Sequence, residues 1–478
     1  MKDFLNLNKT KFAINIVLFY LIISLLNLFF LFINSFGKSI VYEDSFTLLY
    51  DNKSNFYLWL FKHHNGHIIS ISKSITSFFN YISLNPTGYN ISISIFILLI
   101  GIFIIYKIIN VLIKDSNLKK FTFYYCVFLW ISPFQWENLL WEFQIPWFLI
   151  SFLVLLLTLI NVLEFKNIVL NPKYKNLFFI LSPIIAVLSS GQGICYVGCL
   201  FITFFIQKKK YKISFIGIPV SIFLFVFLRK DYDSNLDLNF INNIQYIFLM
   251  LNSTFKPSIT SFNRESFIDW IIPTISTFIF NLILLKNSFF KQNISFWRKN
   301  LIKYVPLCIP IIYGMQFVIL TSFSRNQFGI HQGVVSRYLT SLNLVPIGLI
   351  IISAYFFSKE LEINHEKNLK SKYKLNKNFN FFIFSLAALL IINSSSIFKT
   401  ITETKKIYTL RQQNFEKFIN ICKLNENEII KDQELLEYHQ NFKESFAVNI
   451  PPLPRAKFFG DFKKYVNSDL CELTVNYF

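Results

Sequence analysis

Long apolar segments alternate with short polar connections along most of the chain. A run of about 18–20 apolar residues is long enough to cross the hydrocarbon core of a bilayer as one α-helix. The pattern therefore predicts an all-α polytopic membrane protein with about 11 transmembrane helices. The predicted spans are 12–33, 89–113, 121–134, 145–163, 177–190, 194–206, 213–228, 269–285, 303–322, 339–357 and 380–398.

Three of these spans are short, namely 121–134, 177–190 and 194–206. The last two flank the polar turn 189–193, so they fit either two short spans or one re-entrant hairpin. The number of crossings stays open at this point for that reason.

Positive charge is concentrated in every second connection, which predicts the orientation because Lys and Arg mark the cytoplasmic side. The first apolar run lacks a small-residue cleavage site, so we expect it to be retained in the plasma membrane with its N-terminus in the cytoplasm. Residues 1–398 then form the transmembrane domain, with an outer loop at 34–88, and residues 399–478 form a small extracytoplasmic region. The lysine-rich, cytoplasmic connections are 107–120, 164–176, 207–212, 286–303 and 358–378.

The composition agrees with membrane residence. Hydrophobic residues make up 53% of the 478 residues and charged residues 15%, which is more apolar surface than a soluble core of this length can bury. The formal net charge of +20 lies largely in short loops between spans, so we predict no nucleic-acid partner. The chain contains no Walker or G-x-G-x-x-G motif, which argues against an ATP-driven pump and a nucleotide donor.

The outer loop 34–88 carries the carboxylates Glu43, Asp44 and Asp51. A carboxylate at the membrane surface can take a proton from a sugar hydroxyl or hold a divalent cation. Asp44 and Glu43 are therefore the candidate catalytic residues, with a slight preference for Asp44, which is also the candidate ligand of a divalent cation. A solvated interfacial turn is the alternative, and no other cofactor is predicted.

Three of the six histidines, His63, His64 and His67, follow in the same loop. The spacing of His63 and His67 matches one face of a helix, but zinc needs a third ligand that the sequence does not indicate. Hydrogen bonding of His64 and His67 to a phosphate or sugar is one interpretation, and ordinary interfacial histidines are the other.

A helical pattern begins directly after the histidines. Apolar residues recur at three- and four-residue spacing, with Ser and Lys on the opposite face, which predicts an amphipathic helix in the outer interface. The apolar positions are Ile68, Ile71, Ile75, Phe78 and Ile82.

Two further outer loops carry candidate binding residues. Trp136, Glu137 and Gln144 combine an aromatic ring with carboxylate and amide groups, as a sugar ring requires, although tryptophans near span ends also form aromatic belts. Arg325 and Arg337 lie at the edges of a short loop, and Arg337-Tyr338 opens a span. A guanidinium group suits bidentate recognition of phosphate, and snorkelling to the interface is the alternative.

Taken together, these motifs resemble the GT-C class of integral membrane glycosyltransferases, in particular a bacterial subgroup that uses polyprenyl-phosphate sugars. The resemblance covers most of residues 1–360 and departs at Ile68, where that subgroup often has Arg. The motifs that carry it are His64-Asn65-Gly66-His67, Trp136-Glu137-Asn138 with Phe143-Gln144, and Ser336-Arg337-Tyr338.

The resemblance implies a GT-C-like bundle that transfers sugar, with inversion, from a polyprenyl-phosphate donor to a glycan, lipid or protein acceptor on the outer face. It implies that the acid of the first outer loop, matched by Asp44 or Glu43, acts as base or metal ligand. An O-antigen-type polymerase, which relies on outer-loop arginines, and a non-catalytic transporter or flippase of lipid-linked sugars are the alternatives.

Overall fold

Every regular element in the described part of the chain is helical. The computed structural model describes residues 2–35, 55–62, 68–82, 86–140, 144–206, 214–227, 239–255, 267–290, 294–326, 335–367 and 369–423. The α-helices are α1 (Lys2–Ser35), α2 (Phe56–Phe61), α3 (Ser70–Ile82), α4 (Pro86–Leu112), α5 (Ser116–Trp130), α6 (Trp136–Leu140), α7 (Ile145–Phe165), α8 (Pro172–Ser189), α9 (Gly193–Ile206), α10 (Ser214–Phe227), α11 (Phe240–Leu251), α12 (Phe267–Leu285), α13 (Ile294–Arg325), α14 (Leu339–Leu342), α15 (Leu344–Lys367), α16 (Leu369–Ile392) and α17 (Ser394–Lys423). Short 3-10 turns lie at Pro133–Gln135 and Ser336–Tyr338, and a π-helical turn lies at Lys286–Phe290.

Six of the described helical segments are long and apolar enough to cross a membrane. A seventh exists if two helices that meet at 48° form one bent span. All of them coincide with predicted spans, so the chain is an α-helical, multi-pass membrane protein. The six segments are Lys9–Asn34, Tyr89–Leu112, Ile145–Phe165, Ile271–Phe289, Tyr304–Arg325 and Ser336–Glu362, and the bent pair is Asn378–Ile392 with Ser394–Thr409.

The count of eleven spans is not confirmed, because the other four predicted spans form the shorter or less apolar helices α5, α8, α9 and α10. Helices α9 and α10 have 14 residues each. At about 1.5 Å per residue such a helix is about 21 Å long, less than the hydrocarbon core of about 30 Å. Helices α8 and α9 pack against each other across a tight turn. A Cβ atom on Gly193 would lie 2.1 Å from the carbonyl oxygen of Ala186, so only glycine fits there.

The surface of α1 shows how the sequence sorts lipid-facing from protein-facing positions. Phe12, Phe19, Leu26 and Ile33 recur at seven-residue intervals, and each is more than half exposed. Residues on the opposite face, such as Val17, are buried. An exposed stripe of large apolar side chains is stable in lipid but not in water, which agrees with the membrane assignment.

Helix α15 is the centre of the bundle and is buried along its whole apolar window. It packs closely on α13 because each helix supplies a glycine opposite a branched side chain. A Cβ atom on Gly314 would lie 2.4 Å from Val345, and one on Gly348 would lie 2.7 Å from Ile311. Small residues let transmembrane helices approach closely, so this pair determines the spacing at the core.

The predicted amphipathic helix is present as α3, with its polar face turned towards the protein. Ser72, Lys73 and Thr76 are buried, and Thr76 accepts a hydrogen bond from Asn90 of α4 (2.7 Å). Phe78, on the apolar face, is 59% exposed. The polar residues therefore contact the bundle, and on the apolar face Phe78 is exposed whereas Ile75 packs against the core.

The last described helix, α17, runs without interruption across the predicted domain boundary at 398/399 and contacts α6. Residues 424–478 lie outside the described residues. They include Cys471, so the structure does not test whether Cys422 and Cys471, which sequence analysis places outside the membrane, form a disulfide or remain free thiols. Four cysteines within the helices are free and buried, as small packing residues are: Cys126, Cys195, Cys199 and Cys308.

Candidate functional site

Two of the predicted polar loops meet at one end of the bundle, where α5 and α13 end and α7 and α15 begin. Residues 131–140 follow α5, and residues 335–343 lead into α15. The first loop turns sharply because a 3-10 turn starts at Pro133. Ser132 caps this turn, and its hydroxyl accepts a hydrogen bond from the amide of Phe134 (3.3 Å). We refer to this end, which carries Arg325 and Arg337, as the arginine end.

A chain of buried amide and hydroxyl groups joins the two loops. Asn138 Nδ2 donates to the carbonyl oxygen of Arg337 (2.8 Å) and to Thr340 Oγ1 (2.7 Å). Thr340 Oγ1 donates to Gln135 Oε1 (2.7 Å), and Gln135 Nε2 donates to the carbonyl oxygen of Trp130 (2.7 Å). The network satisfies a carbonyl group at the end of α5, which buried helix ends require, and holds the loops in one register.

Glu137 adds a second connection between the same loops. Its Oε2 accepts hydrogen bonds from Ser336 Oγ (2.8 Å) and from the backbone amide of Arg337 (3.0 Å). Its own amide donates to Ser336 Oγ (3.2 Å). Charge-assisted bonds of this kind are strong, so Glu137 holds the backbone of Arg337 in place. The structure shows that Glu137 connects the two loops, and the sugar contact predicted for Glu137 stays a prediction.

Aromatic rings line the interior side of Arg337. The ring centre of Trp147 lies 5.6 Å from that of Tyr338 and 5.5 Å from that of Phe317. The rings of Phe317 and Tyr338 are 5.9 Å apart, and the Arg337 guanidinium carbon lies 5.8 Å from the Tyr338 ring centre. This packing restricts the motion of Tyr338 and provides a flat partner for the guanidinium group.

Helix α11 brings a tyrosine to the arginines. Asn239 is the N-cap of α11, and its side-chain oxygen accepts from the amide of Asn242 (3.2 Å). At the end of α13, the side chain of Asn326 donates to that of Asn243 (3.4 Å). One turn later Tyr246 is fully buried, with its hydroxyl beside that of Tyr338.

The groups around Tyr246 shift the pKa of its hydroxyl. Burial raises the pKa of the Tyr246 hydroxyl well above its ordinary value, and the neighbouring Tyr338 raises it further, whereas Arg325 and Arg337 lower it. The hydroxyl therefore stays protonated at any physiological pH and remains a hydrogen-bond donor. Arg325, Arg337, Tyr246 and Tyr338 form what we call the arginine–tyrosine cluster.

The donor set of the cluster suits an anion. Both arginines are partly buried, and guanidinium and hydroxyl groups together match the oxygens of a phosphate or carboxylate. A divalent cation prefers carboxylate and carbonyl oxygens. Within the described ranges no group of three or more His, Cys, Asp or Glu side chains lies close enough to hold a metal ion.

A lysine holds a separate helical hairpin, α2–α3. Lys73 Nζ, on a residue that is 2% exposed, donates to the carbonyl oxygens of Trp59 (2.6 Å) and Lys62 (2.9 Å) at the end of α2. Ser70 Oγ donates to the carbonyl oxygen of Leu60 (2.9 Å). A cation at a helix C-terminus is favourable, but burial, and then the charge of Lys62, lower the pKa of Lys73 to about 8.

The remaining predicted site residues divide into two groups. Trp136 and Gln144 are buried, and Gln144 Oε1 has no hydrogen-bond partner among the described residues. Glu43, Asp44, His64 and His67 lie outside the described residues. Their proximity to Arg337 therefore stays a prediction.

The sequence pattern alone did not single out several residues that organise this end. The buried amides of the network stand next to a predicted motif but resemble ordinary loop residues. Tyr246 lay in a segment without a predicted span, although apolar residues at 240, 241, 244 and 248 have helical spacing and would have indicated α11. The residues missed are Gln135, Tyr246, Thr340 and also Asn343, whose side-chain amide donates to the carbonyl oxygen of Leu129 (2.8 Å).

No protein family, curated protein or solved structure matches the chain. The fold defines the class by itself: an α-helical, multi-pass membrane protein with an arginine–tyrosine cluster at one end of its bundle.

Proposed function

We propose that the protein is a membrane glycosyltransferase that moves a sugar from a polyprenyl-phosphate donor to a cell-surface glycan, lipid or protein acceptor on the outer face of the plasma membrane. The observation that carries the proposal is the packing of Arg337 on the Tyr338 ring, together with the hydrogen bond that joins α11, the helix of Tyr246, to Asn326 beside Arg325. These residues lie at the end of the bundle where the charge pattern predicts the outer side.

The chemistry of sugar transfer needs such a cluster. When the sugar leaves a polyprenyl phosphate, negative charge develops on the departing phosphate. Arginines held in place before the reaction stabilise that charge without reorganising. The anchoring of Arg337 by Glu137 and of its loop by Asn138 provides this rigidity.

The acceptor hydroxyl needs a base. Asp44 or Glu43 would supply it, since both stand in the first predicted outer loop. His64 and His67 would assist in binding phosphate or sugar, and Asp44 would be the ligand of a divalent cation if the reaction uses one. Trp136 and Gln144 would contact the sugar or the acceptor.

An O-antigen-type polymerase is the second candidate, and the arginine pair favours it. That activity also uses lipid-linked sugars at the outer face and relies on outer-loop arginines. The two candidates differ in their product, because a polymerase joins repeating units whereas the transferase adds one sugar.

Deleting the gene and analysing the surface glycans by mass spectrometry tests the proposal. We expect one sugar residue to be lost from a defined glycan, whereas a polymerase mutant would keep single units and lose chain length. Unchanged surface glycans would contradict both activities.

Complementation of the deletion strain then tests the residues. Wild type and Lys359→Gln, a change at the opposite end of α15, should restore the glycan. Arg337→Gln and Asp44→Asn should lower transfer by about 100-fold or more, the usual cost of removing a group that stabilises developing charge or accepts a proton. Full restoration by Arg337→Gln would refute the phosphate role.

A further inference from the structure

Tyr246 has a buried hydroxyl whose place in the fold needs an explanation. The residue is fully buried, yet among the described residues no atom meets hydrogen-bond geometry with its hydroxyl oxygen. Buried hydroxyl groups are nearly always hydrogen-bonded, and those that are not often have a functional role. A phenylalanine would fill the same space without an unsatisfied polar group.

Helix α11 determines where this hydroxyl points. Phe240, Ile241 and Phe248 are more than half exposed, so they form the outward face of the helix. Asn243 and Tyr246, one turn apart, form the inward face, and Asn243 is bonded to Asn326 next to Arg325. The hydroxyl of Tyr246 therefore faces the arginine–tyrosine cluster.

The chemistry of the surrounding groups defines what the hydroxyl can bind. Arginine side chains only donate hydrogen bonds, so the arginines offer no acceptor for the proton of Tyr246. The hydroxyl of Tyr338 lies nearby but does not meet hydrogen-bond geometry with that of Tyr246. An anion bound by Arg325 and Arg337 would bring acceptor oxygens to the same place. A phosphate has enough oxygens to engage two guanidinium groups and one hydroxyl group together.

We propose that Tyr246 is a further ligand-binding residue of this site, its hydroxyl donating a hydrogen bond to an oxygen of the phosphate that Arg325 and Arg337 bind. The inference rests on the proposed function and adds to it a binding residue from α11, which sequence analysis did not predict as a span. The phosphate is that of the polyprenyl-phosphate donor.

The test is a binding titration of the full-length protein in nanodiscs of zwitterionic lipid. The probe is a short-chain polyprenyl phosphate, with the uncharged polyprenol and inorganic phosphate titrated separately. Tyr246→Phe is compared with Tyr196→Phe, a matched control in α9 whose fully buried hydroxyl donates to Ser182 Oγ (2.9 Å). Arg337→Gln reports on the anion site itself.

We expect Tyr246→Phe to weaken binding of the polyprenyl phosphate by about tenfold, as expected for one hydrogen bond. Its melting temperature should stay unchanged or rise, because the substitution removes no formed hydrogen bond. Tyr196→Phe should behave in the opposite way, with a lower melting temperature and unchanged affinity.

Other results separate the inference from the function on which it rests. If Tyr246→Phe binds like wild type while Arg337→Gln does not, the role of Tyr246 is refuted and the anion site stands. A melting temperature lowered as far as in Tyr196→Phe would show a structural role and also refute it. Failure of the wild type to bind any phosphate probe would overturn both proposals. If the wild type binds inorganic phosphate as tightly as the polyprenyl phosphate, and Tyr246→Phe weakens both, the phosphate-binding role of Tyr246 is supported but the ligand is free phosphate.

Discussion

The two ends of the bundle use positive charge in different ways. At the end of α7 and α15, which we call the lysine end, Lys166 and Lys359 lie 5.5 Å and 5.0 Å from the ring centre of Tyr355. Carboxylates nearby pair with lysines, as in Glu164–Lys175 at 2.7 Å. Such contacts hold helix ends at a surface and leave little charge uncompensated.

At the arginine end, the carboxylate of Glu137 accepts from a hydroxyl group and a backbone amide. Arg325 and Arg337 instead face two tyrosine hydroxyl groups. Guanidinium groups, tyrosine hydroxyl groups and a rigid backbone thus come together at this end, and such a donor set suits an anionic ligand. The predicted orientation thus rests on the lysines, whereas the proposed site rests on the arginines.

Breaking the support of Arg337 should have the largest effect on stability. Glu137→Ala removes the acceptor of two charge-assisted hydrogen bonds, so we expect the free energy of unfolding to fall by about 3 kcal/mol. Denaturation in mixed detergent micelles measures the change. Glu137→Gln is the matched control and should lose about half as much, since its amide oxygen still accepts. An alanine variant as stable as wild type would show that the two loops do not depend on Glu137.

Lys73 allows a test with an intermediate effect, because its pKa of about 8 lies below the ordinary value of 10.5. The folded state then binds this proton less tightly than the unfolded state, so the buried charge destabilises the α2–α3 hairpin below pH 8. This destabilisation should disappear as pH rises from about 8 to 10.5. Hydrogen-exchange protection of the α3 amides, corrected for the intrinsic rate, should increase several-fold between pH 7 and pH 9.5.

Two variants control this measurement. Lys73→Met keeps the apolar stem and should remove the pH dependence, whereas Lys359→Met at the lysine end should retain it. Protection that does not change with pH in the wild type would mean that the proton of Lys73 is not linked to the stability of the hairpin.

The lysine end should show the smallest effects. The side chains of Glu164 and Lys175 are 10% and 15% exposed, so Glu164→Gln should cost about 1 kcal/mol. The side chains of Lys114 and Glu362 are 75% and 42% exposed, and Lys114→Gln should stay within about 0.5 kcal/mol of wild type. Unfolding in mixed micelles at low and high salt checks both values. A larger loss for Lys114→Gln would contradict the view that this end is solvated.

The sequence by itself determined the class of protein and the long helices. Apolar length predicts a span because every backbone polar group must be satisfied inside the bilayer, and the structure confirms this for α1, α4, α7, α13 and α15. Length leaves the spans predicted at α9 and α10 unconfirmed, because a short apolar run does not reveal whether it crosses the membrane.

Only the tertiary structure decided which polar groups meet. The contact between Glu137 and Ser336 joins residues 199 positions apart, and the contact between Asn138 and Thr340 joins residues 202 positions apart. No periodicity in the sequence encodes such pairs, since they depend on how α5, α7, α13 and α15 pack. The same packing places Tyr246 beside the arginines, and it turns the polar face of α3 inward although the pattern of that face alone is equally compatible with water.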